Sequence, residues 1–343
     1  MNSIYNSGLL RLLTGSLAVG AMTSCYTDFV PDIDVSPVLC VNSLITAGEP
    51  ITVSVSRSRL YTDTVPDESS KVDDAVVTVY ANGSAVEASY LPAEGDRIRI
   101  FVESRAYGTA EAEVTVPVSL PAEKLQWSAT PNSVWTHTVP GWEMLAQITF
   151  EVKAELTVAD PAGVENFYKV DYYGLLDGEV VSGGGWINPP EGPAYFYPGS
   201  LDCDYDPVFS EHIDLLESVS GTTAYNFSFF TDRTFQGASY PLHLRFTDMN
   251  YNVSSMDYDE SLLDCEIVVK LSSISQSYYK WGLYDWQIDN GMLGDLSEIG
   301  FGEPMPGYSN VSTGAGIVAA RSCRSYSINL RDFLREVIGE REQ

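Results

Sequence analysis

Beyond its first two dozen residues the chain has no apolar run approaching the ~20 residues of a membrane-spanning helix, so no spanning segment is expected in its body. Histidine is scarce. The three present, His137, His212 and His243, lie far apart, with no H-E-x-x-H helix and no G-x-S-x-G elbow to accompany them. Familiar hydrolytic machinery is therefore not written here. The five cysteines include no C-x-x-C pair, which argues against a structural zinc site. Basic residues are also few: 19 Lys and Arg stand against 47 Asp and Glu, a formal net charge of −28. Such a surface repels phosphate backbones, so nucleic-acid binding is set aside.

What is present begins at Cys25. Residues 12–22, Leu-Leu-Thr-Gly-Ser-Leu-Ala-Val-Gly-Ala-Met, are apolar but too short for a lasting span; Arg11 precedes them, and the small residues Thr23 and Ser24 stand directly before the cysteine. This is a secretion signal over 1–24 ending in a lipobox. Cleavage would leave Cys25 as a lipidated amino terminus. Each buried methylene contributes ~0.8 kcal/mol, so one acyl chain holds a protein marginally and three hold it durably. Residues 25–37, with Asp28, Asp32, Asp34 and two prolines, read as a flexible tether.

From Val38 onward, period-two runs rich in Val, Ile and Thr predict strands at 38–45, 51–57, 75–81, 84–90, 97–103 and 110–116. Asn82-Gly83 predicts a tight hairpin, and Pro117 and Pro121 close the region. The expectation is an immunoglobulin-like or transthyretin-like sandwich at 38–119. A larger β-rich domain at 120–343 follows, with strands near 146–158, 166–173, 224–231, 240–247 and 264–271. Its principal helix is expected at 272–288, capped by Ser272 or Ser273, with a return strand from Gly314 and a short terminal helix at 330–338. The fold class is mostly β. Of the cysteines after Cys25, Cys40 reads as a buried small apolar residue, a Cys203–Cys265 bridge is one of three ways to pair the four, and Cys323 has no assigned role.

Several segments, taken in order, carry a family likeness. They are Val41-Asn42-Ser43-Leu44 with Pro50 to Ser58, the strand Asp74 to Val79, and Ala110 to Pro117. Further on come Asp232-Arg-Thr-Phe235-Gln-Gly237, Ser277-Tyr278-Tyr279, and Ser309-Asn310-Val311 leading to Gly314-Ala-Gly316-Ile317. In these the chain resembles the domain-of-unknown-function 4249 family of Bacteroidota outer-membrane lipoproteins. The resemblance implies a lipid-anchored protein on the surface or periplasmic side of the outer membrane, whose relatives are commonly encoded beside TonB-dependent receptors. It supplies no catalytic residues. The chain departs from the family pattern after Ile317.

Three constellations remain. Asp202, Asp204 and Asp206 are spaced like the start of a calcium loop, but Pro207 stands where a glycine must turn and Ile213 where a glutamate must close, so a solvated acidic loop is the default reading. Ser277 and Lys280 fit S-x-x-K without the partner motifs that make it catalytic. Residues 182–206 form a Gly- and Pro-rich stretch holding Trp186, Tyr195, Phe196, Tyr197 and Tyr205, aromatics that core packing of a loop does not explain. Trp127, Trp135 and Trp142 make a second cluster. The alternative is that both stretches fold back as lids over the second sheet. The expected function is non-enzymatic and needs no cofactor: an accessory to a TonB-dependent transporter that binds a ligand or the barrel through the aromatic residues. A structural or adhesive surface lipoprotein is the alternative.

Overall fold

The computed structural model describes residues 36–59, 70–87, 89–120, 122–136, 144–181, 194–213, 227–255, 263–291 and 307–339. The signal segment, Cys25 and the tether to residue 35 lie outside them. Sixteen strands are described: β1 (Leu39–Thr46), β2 (Ser54–Arg57), β3 (Val76–Ala81), β4 (Ser84–Val86), β5 (Arg97–Ser104), β6 (Gly108–Thr115), β7 (Ala122–Thr136), β8 (Met144–Ala159), β9 (Phe167–Leu176), β10 (Glu179–Val181), β11 (Ala194–Tyr197), β12 (Ser200–Leu201), β13 (Phe229–Thr231), β14 (Ser239–Ser255), β15 (Cys265–Ile274) and β16 (Val318–Asn329). Helix α1 (Gln276–Asn290) sits between β15 and β16, and α2 (Arg331–Gly339) follows β16. Among the described residues no helix is long and apolar enough to cross a membrane.

Three sheets organise these strands. A seven-stranded sheet runs β10-β9-β15-β16-β1-β2 with β13 beside β9; a five-stranded sheet runs β11-β14-β8-β7 with β12 beside β14; a four-stranded sheet runs β4-β3-β5-β6. The alternating runs behave as expected: β5 buries Ile98, Ile100 and Val102 and turns Arg97, Arg99 and Phe101 outward. The Asn82-Gly83 hairpin joins β3 to β4 with both residues in the left-handed region.

The two halves expected from sequence share one sheet. β1 pairs in parallel with β16, Ser43 opposite Val318 through Thr46 opposite Arg321, so hydrogen bonds cross the division expected at residue 119. The segment before β16 extends this join. Val41 N donates to Ala315 O at 2.9 Å and Ser43 N to Ile317 O at 2.9 Å, while on the other side Ser312 N donates to Glu111 O of β6 at 2.8 Å. Residues 311–317 thus strap the four-stranded sheet to the large one. The segment after Ile317, to which the sequence reading gives no place in the family pattern, is a central strand of the large sheet.

One face of the large sheet carries two cores. Leu39, Val41 and Ile45 of β1 pack with Val318 and Ala320 of β16 under Ile98, Ile100 and Val102. Tyr168, Val170, Ile267 and Val269 pack under Phe150, Val152, Leu244 and Phe246 of the five-stranded sheet. Helix α2 closes the end of this second core with Leu334 and Ile338. The opposite face carries α1, whose Tyr278 and Trp286 meet Phe227, Phe229, Ile274 and Ala319.

Differences from the sequence reading have local causes. The strand before α1 continues to Ile274, because Ser272 and Ser273 are buried in paired positions between β9 and β16, and Ser275 is the cap. β7 was not expected; Pro131 interrupts its pattern but is tolerated on an edge strand, where the register shifts beside it. β14 runs eight residues past the expected end because a bulge at Asp248, φ 56°, switches which residues face inward. Cys40, Cys203, Cys265 and Cys323 are all free thiols, so the Cys203–Cys265 bridge is not formed. Cys203 is buried, which with the Asp204 and Asp202 charges pushes its thiol up to about 12. Cys40 is only half-buried.

Two predictions follow from this packing. Gly316 has φ +109°, and a Cβ there would stand 2.2 Å from Val41 O. Gly316→Ala should therefore lower stability by about 3 kcal/mol in urea denaturation, whereas Gly307→Ala, with open space around it, should change it by no more than about 0.5 kcal/mol.

His212 lies with its ring 4.0 Å from that of Phe227 and 4.3 Å from that of Trp286. Its ring nitrogens are buried without a hydrogen bond, although the Phe209 backbone lies near enough to oppose part of the burial effect; burial still lowers the pKa to about 4. The unfolded chain then takes up a proton near pH 6.5 that the folded chain refuses, so stability present above pH 6.5 is lost as pH falls toward 4. Between pH 7 and pH 5 this residue should cost about 2 kcal/mol, and His212→Phe should remove that share of the pH dependence in denaturant titrations.

Candidate functional site

The outer face of the five-stranded sheet is where the sequence-predicted residues gather. Strand alternation decides which of them reach it. In β11, Phe196 is opposite Tyr251, both are buried, and Phe196 belongs to the core; it is not a surface aromatic as expected. Its neighbours Tyr195 and Tyr197 occupy the outward positions, opposite Asn252 and Asn250 of β14. These asparagines pair in turn with Gln147 and Thr149 of β8, and Gln147 pairs with Trp135 of β7. Trp135 is 49% exposed.

Aromatic residues from the two edge strands thus flank a floor of amide and hydroxyl side chains, across four strands at ~4.8 Å each. Residues 194–197, expected in a loop, are a strand because Ala194 and Phe196 fill inward positions against β14. Trp186 and Trp142 lie outside the described residues. Trp127 pairs with Ala154 at the sheet edge, remains 39% exposed, and lines the cleft at the far end of this sheet.

Beyond the bulge the same face becomes charged. A shallow cleft of about 280 Å³ is lined by Gln126, Ser128, Lys153, Glu155, Tyr205 and His243. Tyr205 is 37% exposed and lies under the Arg245 guanidinium, 4.9 Å from ring centre to carbon. Asp202 fixes that guanidinium from the other side, accepting from Arg245 Nε at 2.9 Å and from Nη2 as well. This hydrogen bond holds the Arg245 pKa above its ordinary value.

The three spaced aspartates do not converge. Asp202 is committed to Arg245, and Asp204 is exposed on the turn. Asp206 is fully buried and accepts from Val208 N at 3.1 Å, Tyr240 Oη at 2.7 Å and His243 N at 2.8 Å, with His243 Nδ1 at 3.2 Å. It caps the short 3-10 helix Pro207–Ser210. The calcium-like spacing is therefore a fold element: alternate residues of this turn point to different jobs. Among the described residues no three His, Cys, Asp or Glu side chains are grouped to hold a metal.

Other candidates are occupied by structure. Ser277 Oγ donates to Val318 O at 3.0 Å and contacts Ser275 Oγ, pinning α1 to β16, while Lys280 points to solvent. His243 has Glu155 3.7 Å from Nε2 and Asp206 at Nδ1. A larger groove of about 400 Å³ runs beside α1, lined by Asn42, Leu44, Thr52, Tyr278, Trp281 and Ile317. Its polar groups serve the backbone: Asn42 Oδ1 accepts from Ile317 N at 3.0 Å, and Ser43 Oγ donates to Thr52 O at 2.8 Å. For that reason the outer face of the five-stranded sheet, with the smaller cleft towards one end and the aromatic-flanked polar floor towards the other, is the better site. Sequence reasoning missed Asn250, Asn252, Gln147, Lys153 and Glu155, whose only signal was their outward place in long strands.

A family model described as Domain of unknown function (DUF4249) matches residues 26–327, so the likeness runs on past Ile317, where the sequence reading ends it, into β16. No curated protein and no solved structure matches the chain.

Substitutions within one turn should separate the site from its support. Asp206→Ala leaves Val208 N, Tyr240 Oη and His243 N without the fully buried acceptor they share and should cost about 3 kcal/mol or more. Tyr205→Ala, one residue earlier, should change stability by no more than about 1 kcal/mol, because its ring lies at the surface against the Arg245 guanidinium. Urea denaturation of the two variants checks the contrast.

Proposed function

Because the chain belongs to the DUF4249 family, whose description assigns no activity, we propose a function from its own residues: a lipid-anchored, non-enzymatic binding protein of the bacterial outer membrane, accessory to a TonB-dependent transporter. The anchor in this reading is Cys25, supported by the apolar run and small residues before it. The binding surface is the outer face of the five-stranded sheet. The observation that carries the reading is the approach of Tyr195 and Tyr197 from one edge strand and Trp135 from the other to a common polar floor.

Flat rings at the margins offer large contact area at low entropic cost, and the amides between them supply directional hydrogen bonds. Binding is favoured over catalysis by how the reactive side chains are spent. Ser277 holds a helix in place, and the two rings of His212 and His243 are engaged by aromatic neighbours and by carboxylates respectively. The acidic surface, net −28 overall, favours basic or neutral partners.

Purification of the native protein in mild detergent tests the reading. A large outer-membrane barrel should co-purify, and the triple variant Trp135→Ala, Tyr195→Ala, Tyr197→Ala should lose at least ~90% of it while melting within a few degrees of the wild type. A pull-down without a barrel, together with surface binding that survives deletion of the transporter gene, would replace this proposal with an adhesive role.

A further inference from the structure

Two buried carboxylates away from the outer face lack any countercharge. Asp160 follows β8 and is 8% exposed; Asp232 follows β13 and is 1% exposed. Among the described residues no Lys, Arg or His side chain pairs with either. Asp160 accepts from Tyr168 Oη at 2.5 Å and Gly237 N at 2.8 Å, and Asp232 Oδ2 accepts from Asn166 N at 2.9 Å. Asp232 Oδ1 is buried with no partner at all. Two ionised carboxylates so close cost several kcal/mol unless something positive lies between them.

The geometry around Asn166 says where that charge would sit. Its Nδ2 lies 2.9 Å from Val164 O, 3.0 Å from Asp232 Oδ2 and 3.3 Å from Asp160 Oδ1. An amide nitrogen has two hydrogens, and here it faces three acceptors. A carboxamide read the other way round places its oxygen in the same position. Its oxygen would then stand 2.9–3.3 Å from each of the other three, the spacing of neighbouring calcium ligands, which at 2.3–2.6 Å from the ion lie about 2.8–3.5 Å apart.

We propose that Asp160, Asn166 and Asp232, with the Val164 carbonyl, form a calcium-binding site that clasps the β8–β9 loop to the turn before β14. The donor set is all oxygen and carries two negative charges, as a hard divalent cation prefers. Only two of the donors are carboxylates, so the site is distinct from a cluster of three acidic or imidazole ligands. Val164 is exposed, which leaves an entry path and room for water to complete the coordination.

Calorimetric titration of the chelator-stripped, full-length chain with calcium chloride tests this. One saturable site and a rise in melting temperature are expected, with a smaller rise for magnesium at equal concentration. Asp232→Asn should weaken calcium binding at least tenfold, while its metal-free form melts no lower than the metal-free wild type, because repulsion has been removed. Absence of saturable uptake by the wild type overturns the proposal, and so does uptake unchanged in both Asp232→Asn and Asp160→Asn. Should the variants fail to fold, the wild type alone decides: terbium emission saturating at one equivalent and displaced by calcium supports the site, and its absence overturns it.

Discussion

The parallel pairing of β1 with β16 is the interaction on which the rest of the structure depends. Without it the four-stranded sheet has only β1 and β2 to cover its apolar face, and Leu39, Val41 and Ile45 lose Val318 and Ala320. The same strand β16 holds β15 on its other edge and receives α1 on its far face through Ser277 and Ala319. One strand therefore borders all three cores. Its contacts with β1 close a loop of some 270 residues, and the entropic cost of that closure grows only slowly with length, so a few hydrogen bonds backed by apolar burial can hold it.

The strands that fold locally were legible in the sequence. β5 and β6 alternate without interruption, and the hairpin between β3 and β4 is dictated by Asn82-Gly83. What escaped was pairing between distant segments, because register between β1 and β16 leaves no mark in either strand alone. β7 escaped because Pro131 mimics a break, and the start of α1 because Ser272 and Ser273 look like caps while serving as buried sheet residues.

The binding surface was legible in kind more than in place. Tyr195, Tyr197 and Tyr205 were singled out for being aromatic in a Gly- and Pro-rich stretch, and alternation within β11 then separated Tyr195 and Tyr197 from Phe196. The aspartates were legible as a pattern whose meaning depended on the turn, since only the fold says that Asp206 faces inward to Tyr240 and His243. The motif Asp232 to Gly237 was visible as a likeness, and its physical content is a clasp to Asp160 and Asn166 that no local reading supplies.

The strap formed by residues 311–317 has a consequence for how the molecule comes into being. Ribosomes deliver the amino end first, so β1 waits with one edge open until residues 311–321 have been made as well. An unpaired strand edge of that kind is a template for pairing with other chains during the delay. A product cut short before residue 311 never receives the missing neighbour, and the edge of β1 stays open to pairing with other chains.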